Sequence, residues 1–183
     1  PPALLEQWLG ACVQSCTRSP SSLGTIVLVP PVLGLIPPLD TSLRTIAQLL
    51  TGRGFDTVLL SFPGQHGNPG SFSVLLSCLA CERLVQQLRP PLFFYGICSG
   101  GLAAITAGLS GPRVRGVFCW DLSPQFDYSA RYLDQLHMRH GTIFCEETAL
   151  IQVQAKDLAP HSVAPILFAY PQRSLYTTPQ AQQ

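Results

Sequence analysis

Charge is what this chain most lacks. Asp, Glu, Lys and Arg make up 11% of its 183 residues, against about a quarter in ordinary globular domains. The ten Arg are scattered, Lys156 is the only Lys, and the formal net charge is +1. Phosphate recognition needs clustered basic side chains, so nucleic acid is excluded as a partner. Long apolar runs are missing too. The longest, "TIVLVPPVLGLIPPL", carries four prolines and is shorter than the roughly 20 residues that cross a bilayer, so no transmembrane segment is expected. The start, "PPALLEQWLG", has neither a Met nor a basic leader, and no signal peptide is read there. Histidine is scarce, with four in all and none after His161.

What is present is apolar. Hydrophobic residues reach 46%, enough for one sizeable core at this length. So little charge cannot cover a full surface. The composition therefore predicts a buried interface, either with a second copy in a homo-oligomer or under a covering segment; the plainer alternative is a poorly soluble domain. Seven Cys cannot all pair within the chain, and their spacing is not that of a disulfide framework. Reduced thiols and a cytoplasmic location are the simplest account. "CVQSC" (Cys12, Cys16) and "CLAC" (Cys78, Cys81) could offer four zinc ligands, yet both lie in helix-like apolar patterns without an adjacent His. Buried thiols are the better reading, and neither a metal nor a cofactor is called for.

Along the chain, residues 3–16 read as an amphipathic helix. "TIVLV" (25–29) is a buried strand and "PPVLGLIPPLD" a proline-rich loop. "SLRTIAQLLTGRG" is a helix with N-cap choices at Asp40, Thr41 and Ser42. "FDTVLLSF" is a strand, "PGQHGNPGSFS" a loop and "VLLSCLACERLVQQLR" a helix. "LFFYG", "GGLAAITAGL", "VRGVFCWDL" and "APILFAY" follow as strand, helix, strand and strand. Alternating strands and helices predict a doubly wound, mainly parallel sheet with helices on both faces. The whole of 1–183 is read as one domain, with a polar insertion or cap at about 124–160 that includes His137 and His140.

The most informative stretch is "LFFYGICSGGLAAITAGL". In open parallel sheets chemistry gathers at the carboxyl ends of strands, and this stretch turns from strand to helix there. A nucleophile elbow has the form G-x-Nuc-x-G, because its strained turn leaves room only for small residues two before and two after. Cys98 is flanked in this way by Gly96 and Gly100. Ser99 would be flanked by Ile97 and Gly101, and Ile is too bulky. The spacing chooses Cys98; the alternative is a glycine-rich corner holding an inert thiol. A dinucleotide-binding domain is rejected, since prolines follow the first strand where its glycine fingerprint belongs, and no acidic residue sits at the ribose position.

With these motifs the sequence resembles the α/β-hydrolase superfamily. "GICSGG" is similar to the elbow of its Cys-nucleophile branch, the dienelactone hydrolases and polyhydroxyalkanoate synthases. "SFPGQHGNPGSF" is similar to the P-G-x-G-x-S loop of lipases and esterases. The resemblance implies acyl hydrolysis or acyl transfer on a small ester or thioester, with Cys98 as nucleophile. It implies an oxyanion hole from the Ser99 N–H and, because Pro30 and Pro31 lack an N–H, from Val32. The family's acid is expected after "PILFAY", where this chain has Ser174; an alternative placement one strand earlier falls on Asp121, which in many relatives only caps a turn. The family's His should follow a further strand, so either the chain stops short of its last strand and helix or its triad has decayed, as Ser174 in the acid's place suggests. Of the His present, His161 precedes its strand, His137 and His140 read as solvated cap surface, and His66 lies on the elbow's side as a site-loop residue and conceivable dyad partner. A non-catalytic module that binds a hydrophobic ligand or partner is the competing reading.

Overall fold

The computed structural model describes residues 7–8, 10–122, 130–145 and 154–171. Among these residues six strands form one sheet in the order β1-β3-β2-β4-β5-β6. They are β1 (Val13–Thr17), β2 (Thr25–Val29), β3 (Asp56–Ser61), β4 (Leu92–Ile97), β5 (Val114–Trp120) and β6 (Ile166–Ala169). All pair in parallel except β1, which runs antiparallel to β3 at the edge. The helices are α1 (Pro37–Gly52), α2 (Val74–Gln87), α3 (Gly100–Leu109), α4 (Ala130–His140) and α5 (Ala155–Leu158).

Two elements depart from the sequence expectation. Val13–Thr17 is a strand, not the end of a helix, while Gln7, Trp8 and Gly10 are helical. The Cys12 and Cys16 spacing mimics a helical repeat, but the open edge of β3 offers a backbone ladder, and such pairing overrides local preference. Helix α1 begins at Pro37, before the Asp40–Ser42 caps. Two prolines fit its first turn because those N–H groups have no helical partner to lose. Helix α2 starts as its sequence predicts, with the Ser73 hydroxyl accepting from Leu76 N–H at 3.1 Å in an N-cap.

Alternation along the strands builds the core. Val27, Val29, Leu60, Leu92, Phe94 and Val117 turn to one face and pack with α2 and α3. Leu28 and Leu59 turn to the other and meet Leu43 and Ala47 of α1. Beside α1 the second face carries an apolar groove of about 570 Å³, walled by Phe93, Tyr95, Phe118 and Ile166 among others. Tyr95 and Phe118 stack there with centroids 4.9 Å apart. No helix among the described residues is long and apolar enough to cross a membrane.

Candidate active site at the carboxyl end of the sheet

Strand register sets the site. Ile97 at the end of β4 pairs with Trp120 at the end of β5, and Val29 of β2 pairs with Gly96. The next residues of each strand, Cys98, Asp121 and the Pro30–Val32 loop, must therefore emerge side by side. Cys98 and Asp121 share a feature: both are non-glycine residues in the left-handed region, with φ of 49° and 53°. L-residues are held there only by their surroundings. Cys98 N–H donates to Trp120 O at 2.8 Å, and Asp121 N–H to Ala169 O at 2.8 Å. Each strand end is thus locked by its neighbour.

The turn from β4 into α3 needs its glycines because backbone lies against them. A Cβ on Gly96 would stand 2.5 Å from Gly101 Cα, and one on Gly100 would collide with the carbonyl of Pro30. Helix α3 starts immediately after Cys98, so its first N–H groups and positive end lie beside the sulfur.

Cys98, Asp121 and Val32 line one cavity of about 300 Å³. Its walls are apolar, with Leu33, Ile36, Leu39, Ile97 and Trp120, and α4 closes one side with Gln135, Leu136, Arg139 and His140. Ser99 is buried behind the turn. Its hydroxyl accepts from Val32 N–H at 2.7 Å and does not cap α3. So the Val32 N–H, expected to serve an oxyanion, is engaged by the neighbour of the nucleophile candidate. His66 is exposed and outside the residues that line the cavity; its N–H reaches Leu33 O at 3.5 Å. His161 is exposed in a short turn before β6. Ser174 lies outside the described residues, as do parts of the 124–160 insertion.

Burial pushes the Cys98 thiol up to about 11, and the charge of Asp121 adds to the rise; hydrogen bonds from the Ser99 N–H and hydroxyl hold it down. In the ligand-free fold the sulfur is a thiol at neutral pH. Of the four cysteines read as buried thiols, Cys12, Cys78 and Cys81 are partly or fully buried and Cys16 is not. Burial raises Cys12 to about 12 and Cys78 to about 11, and keeps Cys81 a thiol. Cys16 is exposed on β1. No cluster of three or more metal-ligating side chains occurs among the described residues.

Two contributors escaped the sequence reading. Gln65 is buried and ties two loops together. Its side-chain oxygen accepts from Phe62 N–H and its amide donates to Pro31 O, each at 2.9 Å. It fixes the loop bearing Val32. The other is His140, read as solvated surface but half-buried in the cavity wall. Spacing held the signal: Leu133, Leu136 and His140 fall on one face of a helix, and both leucines are buried.

No family profile matches the chain, and no curated protein matches it in sequence. Solved structures do. A monoacylglycerol lipase from Paleococcus ferrophilus superposes with a TM-score of 0.68 at 16% identity, covering 93% of this chain and 81% of its own. A lipase-esterase related protein from Clostridium acetobutylicum gives 0.67 at 13%, covering 93% and 84%. The thioesterase domain from the curacin biosynthetic pathway gives 0.65 at 13%, covering 93% and 82%. The fold is the α/β-hydrolase fold.

Proposed function

We propose that the chain is an acyl hydrolase or acyltransferase that works on an ester or thioester through Cys98. The observation that carries this reading is the elbow itself. A non-glycine residue at φ 49° stands at the strand-to-helix turn, its side chain on the cavity and Asp121 beside it. A backbone held in that region marks a site where function opposes local preference. The solved structures reported above include a lipase and a thioesterase, in keeping with acyl chemistry.

The chemistry runs as follows. The thiol proton leaves to a base, and sulfur bonds to the acyl carbon. The carbonyl oxygen takes the negative charge and is met by the Ser99 N–H at the start of α3. The alkoxide or thiolate leaves with the proton. Water or a hydroxyl then attacks acyl-Cys98 and frees the sulfur. Asp121 orients the base and offsets its charge. Val32 supplies a second N–H to the oxyanion when its bond to the Ser99 hydroxyl opens, and His66 belongs to the adjoining site loop. The apolar walls favour an uncharged acyl chain.

One observation favours a second reading, a non-catalytic module for a hydrophobic ligand: the Val32 N–H is already bonded to the Ser99 hydroxyl. Turnover of p-nitrophenyl butyrate by wild type and C98A decides between them. Loss of turnover in a folded C98A supports the enzyme. Equal rates support the binding module.

A further inference from the structure

A sulfur that is protonated at rest needs a proton acceptor at the moment of attack. We infer that His140, the last residue of α4, is the base that serves Cys98. This rests on the proposed role of Cys98.

All four histidines of the sequence are among the described residues, so their places can be compared. His66 and His161 are exposed and line no part of the Cys98 cavity. His137 is exposed, and its Nδ1 is engaged with Thr142 O at 3.0 Å. His140 alone lines the cavity with Cys98 and Asp121. The other titratable side chain on that wall, Arg139, cannot give up its proton. Asp121 by itself opposes ionisation, since its charge raises the Cys98 thiol. An imidazolium formed on the same cavity wall turns that opposition into attraction. Imidazole also takes up and returns protons near neutrality, as both halves of the reaction require.

The cap is built to hold this end of α4 still. Leu133 and Leu136 anchor the helix in the main core. Gly141 N–H closes the helix on His137 O at 2.8 Å. The chain then pairs with the loop after β3. Ile143 N–H donates to Gly64 O at 3.0 Å, Phe72 N–H to Ile143 O at 2.6 Å, and Cys145 N–H to Phe72 O at 2.8 Å. That same loop carries Gln65, which grips Pro31. His140 and the oxyanion loop are therefore fixed to one another through residues 62–73.

In the acylation step the Cys98 proton moves to a ring nitrogen of His140 as the S–C bond forms. It passes from there to the leaving oxygen or sulfur as that bond breaks. In deacylation His140 takes the proton of water or a hydroxyl and returns one to sulfur. No other reactant is needed.

The test follows nitrophenolate release from p-nitrophenyl butyrate by wild type, C98A, H140Q, H140A and H161Q, with circular dichroism reporting folding. A general base is worth about 100-fold or more. We expect H140Q to lose at least that, H140A to regain rate with added imidazole, and H161Q to match wild type. A folded H140Q as fast as wild type, in a protein where C98A is dead, overturns the role of His140 and leaves that of Cys98 standing. If H140Q fails to fold, imidazole rescue of H140A decides, and its absence counts against the proposal. C98A as active as wild type overturns both.

Discussion

The two ends of the sheet differ in what lines them. At the amino end polar side chains are bound into structure. Asp56 accepts from Ser19 N–H at 2.8 Å, and the Thr25 hydroxyl donates to Arg89 O at 3.0 Å. The Arg113 guanidinium donates to Val85 O at 2.8 Å and to Leu88 O at 2.7 Å. At the carboxyl end Ser99 and Gln65 also tie loops through their side chains, but at the two strand tips the backbone bonds Cys98 to Trp120 and Asp121 to Ala169, and both residues line the cavity. The difference teaches where chemistry has room. A left-handed backbone is tolerated where neighbouring strands supply the bonds that hold it.

That contrast can be broken from either end. The largest effect is expected from G100A, whose new Cβ meets the Pro30 carbonyl. Backbone cannot give way as a side chain does, so urea unfolding should show a loss of about 3 kcal/mol, and acyl turnover should go with it. An unaffected midpoint would mean that the elbow is looser than its packing implies. Next comes R113A at the other end. Losing a guanidinium that serves two carbonyls should cost about 2 kcal/mol, read as a lower urea midpoint. The alkylation rate of Cys98 should stay unchanged; a change there would mean that the two ends are not separate.

S99A should be the mildest. It orphans the Val32 N–H, for about 1 kcal/mol, and removes a hydroxyl that holds the Cys98 thiol down. Iodoacetamide labelling of Cys98, followed by peptide mass spectrometry, should then need a higher pH than in wild type. The sign for stability is fixed by the same shift. The folded state keeps the Cys98 proton to about 11 against an ordinary 9.0. Its contribution is therefore whole below pH 9 and is lost as pH rises toward 11. C98A should show less of that alkaline decline than wild type, and an equal decline would contradict the shift.

Much of the fold was legible because its signals are local. "TIVLV" is the observed β2, and "GGLAAITAGL" the observed α3, to the residue. The choice of Cys98 over Ser99 for the tip also came from spacing alone, and the left-handed φ falls on Cys98. What escaped depends on distant partners. Val13–Thr17 is a strand because β3 has an open edge, which its own residues do not reveal. Gln65 is buried because two loops meet around it. His140 faces the cavity because Leu133 and Leu136 anchor α4 and residues 142–145 pair with the loop after β3. A charged helix read by itself passes for solvated surface.

The central claim is that Cys98 carries the acyl group. The direct measurement is to mix the protein with p-nitrophenyl butyrate, quench in acid within the first turnover, and locate the added mass by fragmenting the peptide that holds Cys98 and Ser99. The account predicts a butyryl group on Cys98 sulfur, absent from C98A. A butyryl group on Ser99, or none on this peptide while nitrophenolate is released, would contradict it.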